Sequence, residues 1–330
     1  MRGVRICSML LLAWVLFSSW GFLVHRTVNQ IAVYQLPKDM RTFFHINMDY
    51  IVRHSVRPDL RRSEDSTEDK KHFINFEKFG DSAAWKMPYN WDEAVRLYSK
   101  DSLLEYGYVP YHVIVMKSRL TNAFRSMKKD SILFYAADLA HYISDAHVPL
   151  HTTTNYDGQL TNQKGLHSLW ESIVPEIQLD QFDLGSRHRV KYLKHPELSI
   201  WQAVRNAHTL LPEVFAKELE VSRSFPDSIK FKIQIRRGKE TKSYSGDFAR
   251  AYGKLLGASI NRQLLKSADL TADFWYTCWV DAGRPDIMKL NAGPPSEAQK
   301  QALQKECKAF RENMLLKQKL LLSRQENNKL

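Results

Sequence analysis

Apolar residues recur at three- and four-residue intervals along almost the whole chain, and this periodicity is the strongest constraint on what it can fold into. Such spacing gives each segment one stripe to bury against its neighbours, so the predicted fold is all-α. Only 13 glycines and 12 prolines interrupt 330 residues, too few for a loop-rich or all-β chain of this length. Helices are predicted over 25–36, where Pro37 stops the pattern, and over 38–56, before Pro58. A third covers 90–107, with Asn90 as its cap and Gly107 as its stop. Others cover 111–128, 131–146, 200–222 and 247–279, and one begins at Leu166. The exception is "SIKFKIQIRRGKETKSYS", whose strict alternation predicts a small exposed β-hairpin. "NAGPPSEAQ" marks a boundary, after which a charged, periodic helix runs toward the end of the chain. There is no internal repeat, and a hydrophobic fraction of 44% supplies one large core.

The first residues read as an export signal. Arg2 and Arg5 precede an apolar run over 6–17 that is short for a membrane span, and Ser18 and Ser19 precede Trp20. The plan is then a signal over 1–19, a helical domain over 20–290 and a charged helical tail over 291–330. An uncleaved anchor is the rival reading, and Phe17 stands where a small residue is usual at a cleavage site. The expected location is periplasmic or extracellular. A net charge of +12 suits phosphate-bearing partners, although it serves solubility equally well. Outside the signal only Cys278 and Cys307 remain. One bridge would be allowed in an oxidising compartment, but Cys278 lies in "FWYTCWV" and reads as core; neither reads as catalytic.

The chemistry gathers in "HYISDAHVPLHTTTNYDGQLTNQKGLHSLWES". His141 and Asp145 are four apart on a predicted helix, hence on one face. Pro149 closes that helix and places His151 just beyond it, and His167 and Glu171 repeat the spacing on the next helix. A single pair of this kind is usually an ordinary polar face. Two pairs with a linking histidine favour a metal, and imidazole with carboxylate is a donor mix that suits zinc. Asp59, His72, His25 and Trp20 add upstream donors.

Together, Trp at the expected mature N-terminus, a nearby His, an Asp then a His, His-x3-Asp-x5-His and His-x3-Glu resemble the zinc-dependent phospholipase C / S1-P1 nuclease superfamily. The motifs span Trp20 to Glu171; the tail from Asn291 lies outside the resemblance. The resemblance implies a single multi-helix domain around a trinuclear zinc cleft. It implies that Trp20 holds one Zn2+ through its α-amino nitrogen and carbonyl oxygen, with His25. Asp145 would bridge to a second, also held by Asp59, His72 and His141. His151, His167 and Glu171 would hold the third, while His147 falls where the family uses no ligand and reads as a supporting or surface polar group. Asp59 is the candidate catalytic base. The chain departs from the family at Ser144, where Gly is common, and at Val148, where Gln is common.

The implied activity is metal-assisted hydrolysis of a phosphodiester. His-x3-Glu looks like the bacterial phospholipase C branch, which is the favoured reading; the short "WGFLVH" spacing looks more like the nucleases, which cut single-stranded nucleic acid. Phe22, Phe73, Phe76, Tyr142 and Tyr156 are candidates to stack on a base or to cage a choline headgroup. From another class, the chain would be a non-catalytic, zinc-stabilised secreted binding protein. The tail reads as a docked or solvated helix, or as a basic amphipathic segment making peripheral membrane contact. The sequence gives no ground for inferring a protein partner.

Overall fold

Helices form where the periodicity puts them, with breaks that the apolar pattern does not show. The computed structural model describes residues 21–236 and 239–325, so the expectations for 1–19 and for Trp20 lie outside the described residues. α1 (Phe22–Gln35) ends before Pro37. The predicted helix 38–56 is two helices, α2 (Lys38–Ile46) and α3 (Met48–His54). They divide at Asn47, whose side chain turns back to donate to Phe43 O at 2.8 Å. α4 (Arg57–Arg61) follows, opened by Pro58 within its first turn. The predicted helix 90–107 also divides, into α5 (Trp91–Tyr98) and α6 (Lys100–Tyr106). Asn90 caps α5 as expected, accepting from Glu93 N at 3.1 Å. Ser99 then takes φ 65° and accepts from Ser102 N at 3.2 Å, ending one helix and capping the next.

α7 (Val109–Arg125) and α8 (Lys129–Asp145) pair side by side. The predicted helix 200–222 becomes α9 (Pro196–His208) and α10 (Leu211–Ser222), because Pro212 has no N–H to continue α9. The hairpin forms as predicted: β1 (Phe231–Arg236) pairs antiparallel with β2 (Lys239–Tyr244), in the register Phe231 to Tyr244 and Ile233 to Lys242. The protein is therefore an all-α domain with one two-stranded excursion.

The centre of the fold is α11 (Gly246–Asp281), 36 residues long, against which α1, α7 and α8 pack. Trp275 on α11 stacks on Phe44 with ring centres 4.9 Å apart and donates its Nε1–H to Ala136 O at 3.0 Å. Val28 and Ile31 of α1 are fully buried in the same core, each contributing about 1.5–3 kcal/mol relative to exposure. At Gly253 an added Cβ would lie 2.2 Å from Gln178 Oε1, so the glycine lets the segment carrying Glu171 continue flat along α11. Cys278 is buried and Cys307 half-buried, and they are not bridged; burial pushes the Cys278 thiol up to about 12.

α12 (Glu297–Arg311) begins with a capping box between Ser296 and Gln299. The chain after it returns across α1. Gln30 donates to Leu320 O at 2.8 Å and accepts from Leu322 N at 2.8 Å, and Thr27 Oγ1 meets Ser323 Oγ at 2.9 Å. Leu315 and Leu321 are buried there, so this part of the tail docks on the helix that carries His25. Among the described residues no helix is long and apolar enough to cross a membrane.

Candidate metal centre

Four pieces of backbone converge on the C-terminal end of α8. That end supplies His141 and Asp145, both buried. His141 Nδ1 lies 2.8 Å from Ser55 O, and a carbonyl can only accept. Nδ1 therefore carries the proton, and the bare Nε2 faces inward. His25, in the first turn of α1, lays its ring on His141 with centres 4.0 Å apart and planes 21° from parallel. α4 supplies Asp59, and a 3-10 turn (Asp69–Lys71) delivers His72. Pro149 opens the turn Pro149–Thr152, in which His151 Nδ1 lies 2.9 Å from His72 O, fixing its tautomer the same way.

His167 and Glu171 lie on a helical segment whose middle turn, Leu169–Ile173, is π-helical rather than α-helical. Such wide turns recur at functional sites because they re-aim side chains. Here His167 Nε2 comes within 2.7 Å of Glu171 Oε2. The loop leading in is tightened at Gly158, at φ 72°, where a Cβ would sit 2.4 Å from Gln163 O.

The donors form three groups, each with its ligand atoms within 4.8 Å of one another: His25, His141 and Asp145; Asp59, His72 and His141; His151, His167 and Glu171. Asp145 Oδ2 is 2.8 Å from His72 Nδ1 and 3.3 Å from His141 Nε2, so one carboxylate serves two groups. Asp59 Oδ1 is 3.8 Å from each of the same two nitrogens. His25 Nε2 stands 3.6 Å from both Asp145 Oδ1 and Glu171 Oε1, linking the first group to the third.

Two contacts test whether these residues fit a cation. His141 Nε2 faces His72 Nδ1 at 3.2 Å, and His151 Nε2 faces His167 Nε2 at 2.9 Å. In both pairs one nitrogen is a bare lone pair by the tautomer argument above, and it is aimed at another imidazole nitrogen. Only a proton or a metal cation satisfies that arrangement. The electrostatics agree. Burial opposes ionisation of Asp145 and Glu171, yet the surrounding histidines hold both well below the usual carboxylate range. Burial likewise opposes charge on His72, but the hydrogen bond to Asp145 and the nearby Glu68 carboxylate outweigh it and push the ring up to about 9. His141 is raised against its burial by Asp145 and Asp59, and His167 by Glu171. The pocket demands positive charge, and the buried groups are able to hold metal ions.

All eight described donors expected from the sequence are thus brought together. Gly21, the first described residue, lies beside Ser172, next to Glu171. His147 belongs to none of the three groups; it is buried, not a surface polar group, and its Nδ1 donates to Ile143 O at 2.7 Å. Of the aromatic candidates, Phe22, Phe76 and Tyr142 are buried in the packing and unavailable to a ligand, and Phe73 is half-buried. Tyr156 is 52% exposed with its ring 6.1 Å from that of His167.

Two residues were missed. Arg62 is exposed, lies 3.4 Å from Asp59 Oδ1, and its charge also acts on Asp145 and His167. Its position three residues after Asp59 was the available signal. Glu68, buried behind His72, precedes it by four residues in a run of charges that otherwise reads as solvated surface.

No protein-family model matches this chain, and no curated protein matches it.

Proposed function

We propose that this chain is an exported zinc-dependent phosphodiesterase that hydrolyses phospholipid in phospholipase C fashion, as its resemblance to the zinc-dependent phospholipase C / S1-P1 nuclease superfamily implies. The observation that carries the reading is the convergence of eight nitrogen- or oxygen-bearing donor residues into three groups, two of which share His141 and lie on either side of Asp145, with no thiolate among them. Structural zinc sites usually close with four protein ligands, often thiolates, whereas shared carboxylates suit adjacent catalytic ions. Trp20, with its α-amino nitrogen freed by cleavage, would complete the group containing His25. The third group's carboxylate is Glu171, and this His-x3-Glu pattern is what favours the phospholipase C reading over the nuclease one.

Zinc bound here would neutralise the phosphodiester and lower the pKa of an attacking water. The remaining work falls to the chain. Arg62 is held by Asp69 through Nε and Nη2, and its remaining Nη1, 3.4 Å from Asp59 Oδ1, would face the anionic phosphate. Asp59 Oδ1 faces His72, His141 and Arg62, which leaves Oδ2 to take the proton from water. The water oxygen bonds to phosphorus, the bond from phosphorus to the glycerol oxygen breaks, and that oxygen receives the proton. Tyr156 stands where a choline headgroup would meet an aromatic face.

A second reading keeps the same centre and makes the substrate single-stranded nucleic acid, because an exposed aromatic beside His167 would equally stack on a base. The deciding assay uses mature protein beginning at Trp20, loaded with zinc, on phosphatidylcholine and on single-stranded DNA and RNA, with a chelated control. Chelator-sensitive release of phosphocholine is expected. Nucleotide release instead would move the chain to the nucleases. Zinc retained with no turnover on any of them would favour a binding protein.

A further inference from the structure

Behind His72 lies a carboxylate that none of the donor groups uses. Glu68 is 1% exposed. Its Oε1 accepts from the Tyr142 hydroxyl and from Arg61 Nη2 at 3.3 Å, and its Oε2 accepts from Lys71 Nζ at 2.6 Å. Arg61 and Lys71 supply the counter-charge that makes a buried carboxylate tolerable. The same Oε1 faces His72 Nε2 at 3.6 Å. That nitrogen is buried with no hydrogen-bond partner at bonding distance, so Glu68 is the acceptor toward which it is aimed. The other nitrogen, Nδ1, looks into the donor group, 2.8 Å from Asp145 Oδ2.

The network also grips α8 around its ligands. Tyr142 lies between His141 and Asp145 in sequence, its ring edge-on to His72 with centres 5.3 Å apart. Arg61 donates to the Tyr142 hydroxyl at 3.1 Å and to Asp138 Oδ2 at 2.8 Å, one turn earlier on the same helix. Arg57 donates to Asp138 Oδ1 from Nε at 3.1 Å. Two buried carboxylates, Glu68 and Asp138, therefore tie the segment carrying Asp59 and His72 to the helix carrying His141 and Asp145.

We propose that Glu68 is a positioning residue: it accepts the Nε2–H of His72, so that the Nδ1 lone pair is presented to the cation held with Asp59 and His141. The assignment rests on the metal reading above. A ligand histidine can offer one nitrogen only if the other keeps its proton, and the acceptor behind that proton sets both tautomer and ring angle. Ser55 O does this for His141 and His72 O for His151; for His72 the acceptor is a carboxylate, which is the stronger of the two kinds.

The test is zinc binding, measured by competition with a chromogenic chelator, in the full chain and in Glu68→Gln and Glu68→Ala variants. Wild type should load fully. Glu68→Ala should lower the affinity of the His72 group about 10- to 100-fold, while the group of His151, His167 and Glu171 keeps its wild-type affinity. Glu68→Gln, which retains an acceptor oxygen, should recover part of the loss. In wild type the ¹⁵N spectrum of His72, loaded with zinc, should show Nδ1 ligated and a slowly exchanging proton on Nε2. That readout does not require either variant to fold. Ligation through Nε2, or equal affinities at all groups in a folded Glu68→Ala chain, would overturn the assignment and leave the metal reading intact. A wild-type chain that takes up no zinc would overturn both.

Discussion

Donors around Asp145 and donors around Glu171 are built to different standards of enclosure. His141, His72 and Asp145 have side chains 0%, 1% and 2% exposed; His141 and Asp145 stand on regular helix, and His72 follows a 3-10 turn. His167, Glu171 and His151 are 29%, 11% and 10% exposed and sit on short turns and a π-helical step. Asp59, at 25%, is the open side of the first region. Desolvation strengthens every charge interaction in the sealed region, so a cation bound there would add to the stability of the fold. On the proposed function, a cation at the open region would exchange more readily and be the one within reach of substrate. The contrast in enclosure predicts a holding role for one region and an access role for the other.

Removing the shared carboxylate is the harshest test of that division. Asp145→Ala should cost two bound zinc ions per chain and nearly all activity; atomic emission analysis finding only one lost would mean that Asp145 is not shared. Next in size is a pH effect. In zinc-free protein His72 sits at about 9, above its unfolded value of about 6.5. Its contribution to stability is then fully present below that unfolded value and is lost as pH rises through about 9. Denaturant melts of the zinc-free chain should weaken across that window. The loaded chain should not, since zinc displaces the proton and binds more tightly as pH rises. Identical pH profiles for the two forms would contradict the sealed site.

Graded chelation should empty the Glu171 group first, with the other ions leaving at higher chelator concentration, and simultaneous release would erase the distinction. His167→Ala should then lose one zinc ion yet change zinc-free stability by less than about 1 kcal/mol, as expected of a partly exposed side chain on a turn. Calorimetry showing a far larger loss would make the open region structural too. The smallest effect is expected from Tyr156→Ala. Substrate binding should weaken about 5-fold, corresponding to about 1 kcal/mol of aromatic contact, with metal content unchanged. An unchanged KM would remove Tyr156 from the substrate path.

Much of this centre was legible in the residues. His141 with Asp145, and His167 with Glu171, announce themselves because a four-residue spacing has only one meaning on a helix. The helix breaks at Asn47 and Ser99 were not legible, since a polar side chain that caps a helix and one that merely decorates it look alike in sequence. The π-helical step under Glu171 was equally hidden, because His-x3-Glu satisfies either winding. Glu68 stayed invisible for a different reason. In "SEDSTEDKKHF" it is one acid among several, and only burial against Tyr142 and Arg61 separates it from its neighbours.

Local spacing and composition by themselves determined that the chain would be helical, where its hairpin would lie and that His141, Asp145, His151, His167 and Glu171 are candidate donors, because these follow from periodicity and ligand chemistry; Asp59, His72 and His25 were singled out by the resemblance. Only the tertiary structure decided how the donors divide. That His25 bridges the two regions, that Asp145 serves two groups and that the tail docks on α1 are contacts between segments far apart in the chain. No periodicity encodes such contacts; they exist once packing against α11 has set the angles at which the pieces meet.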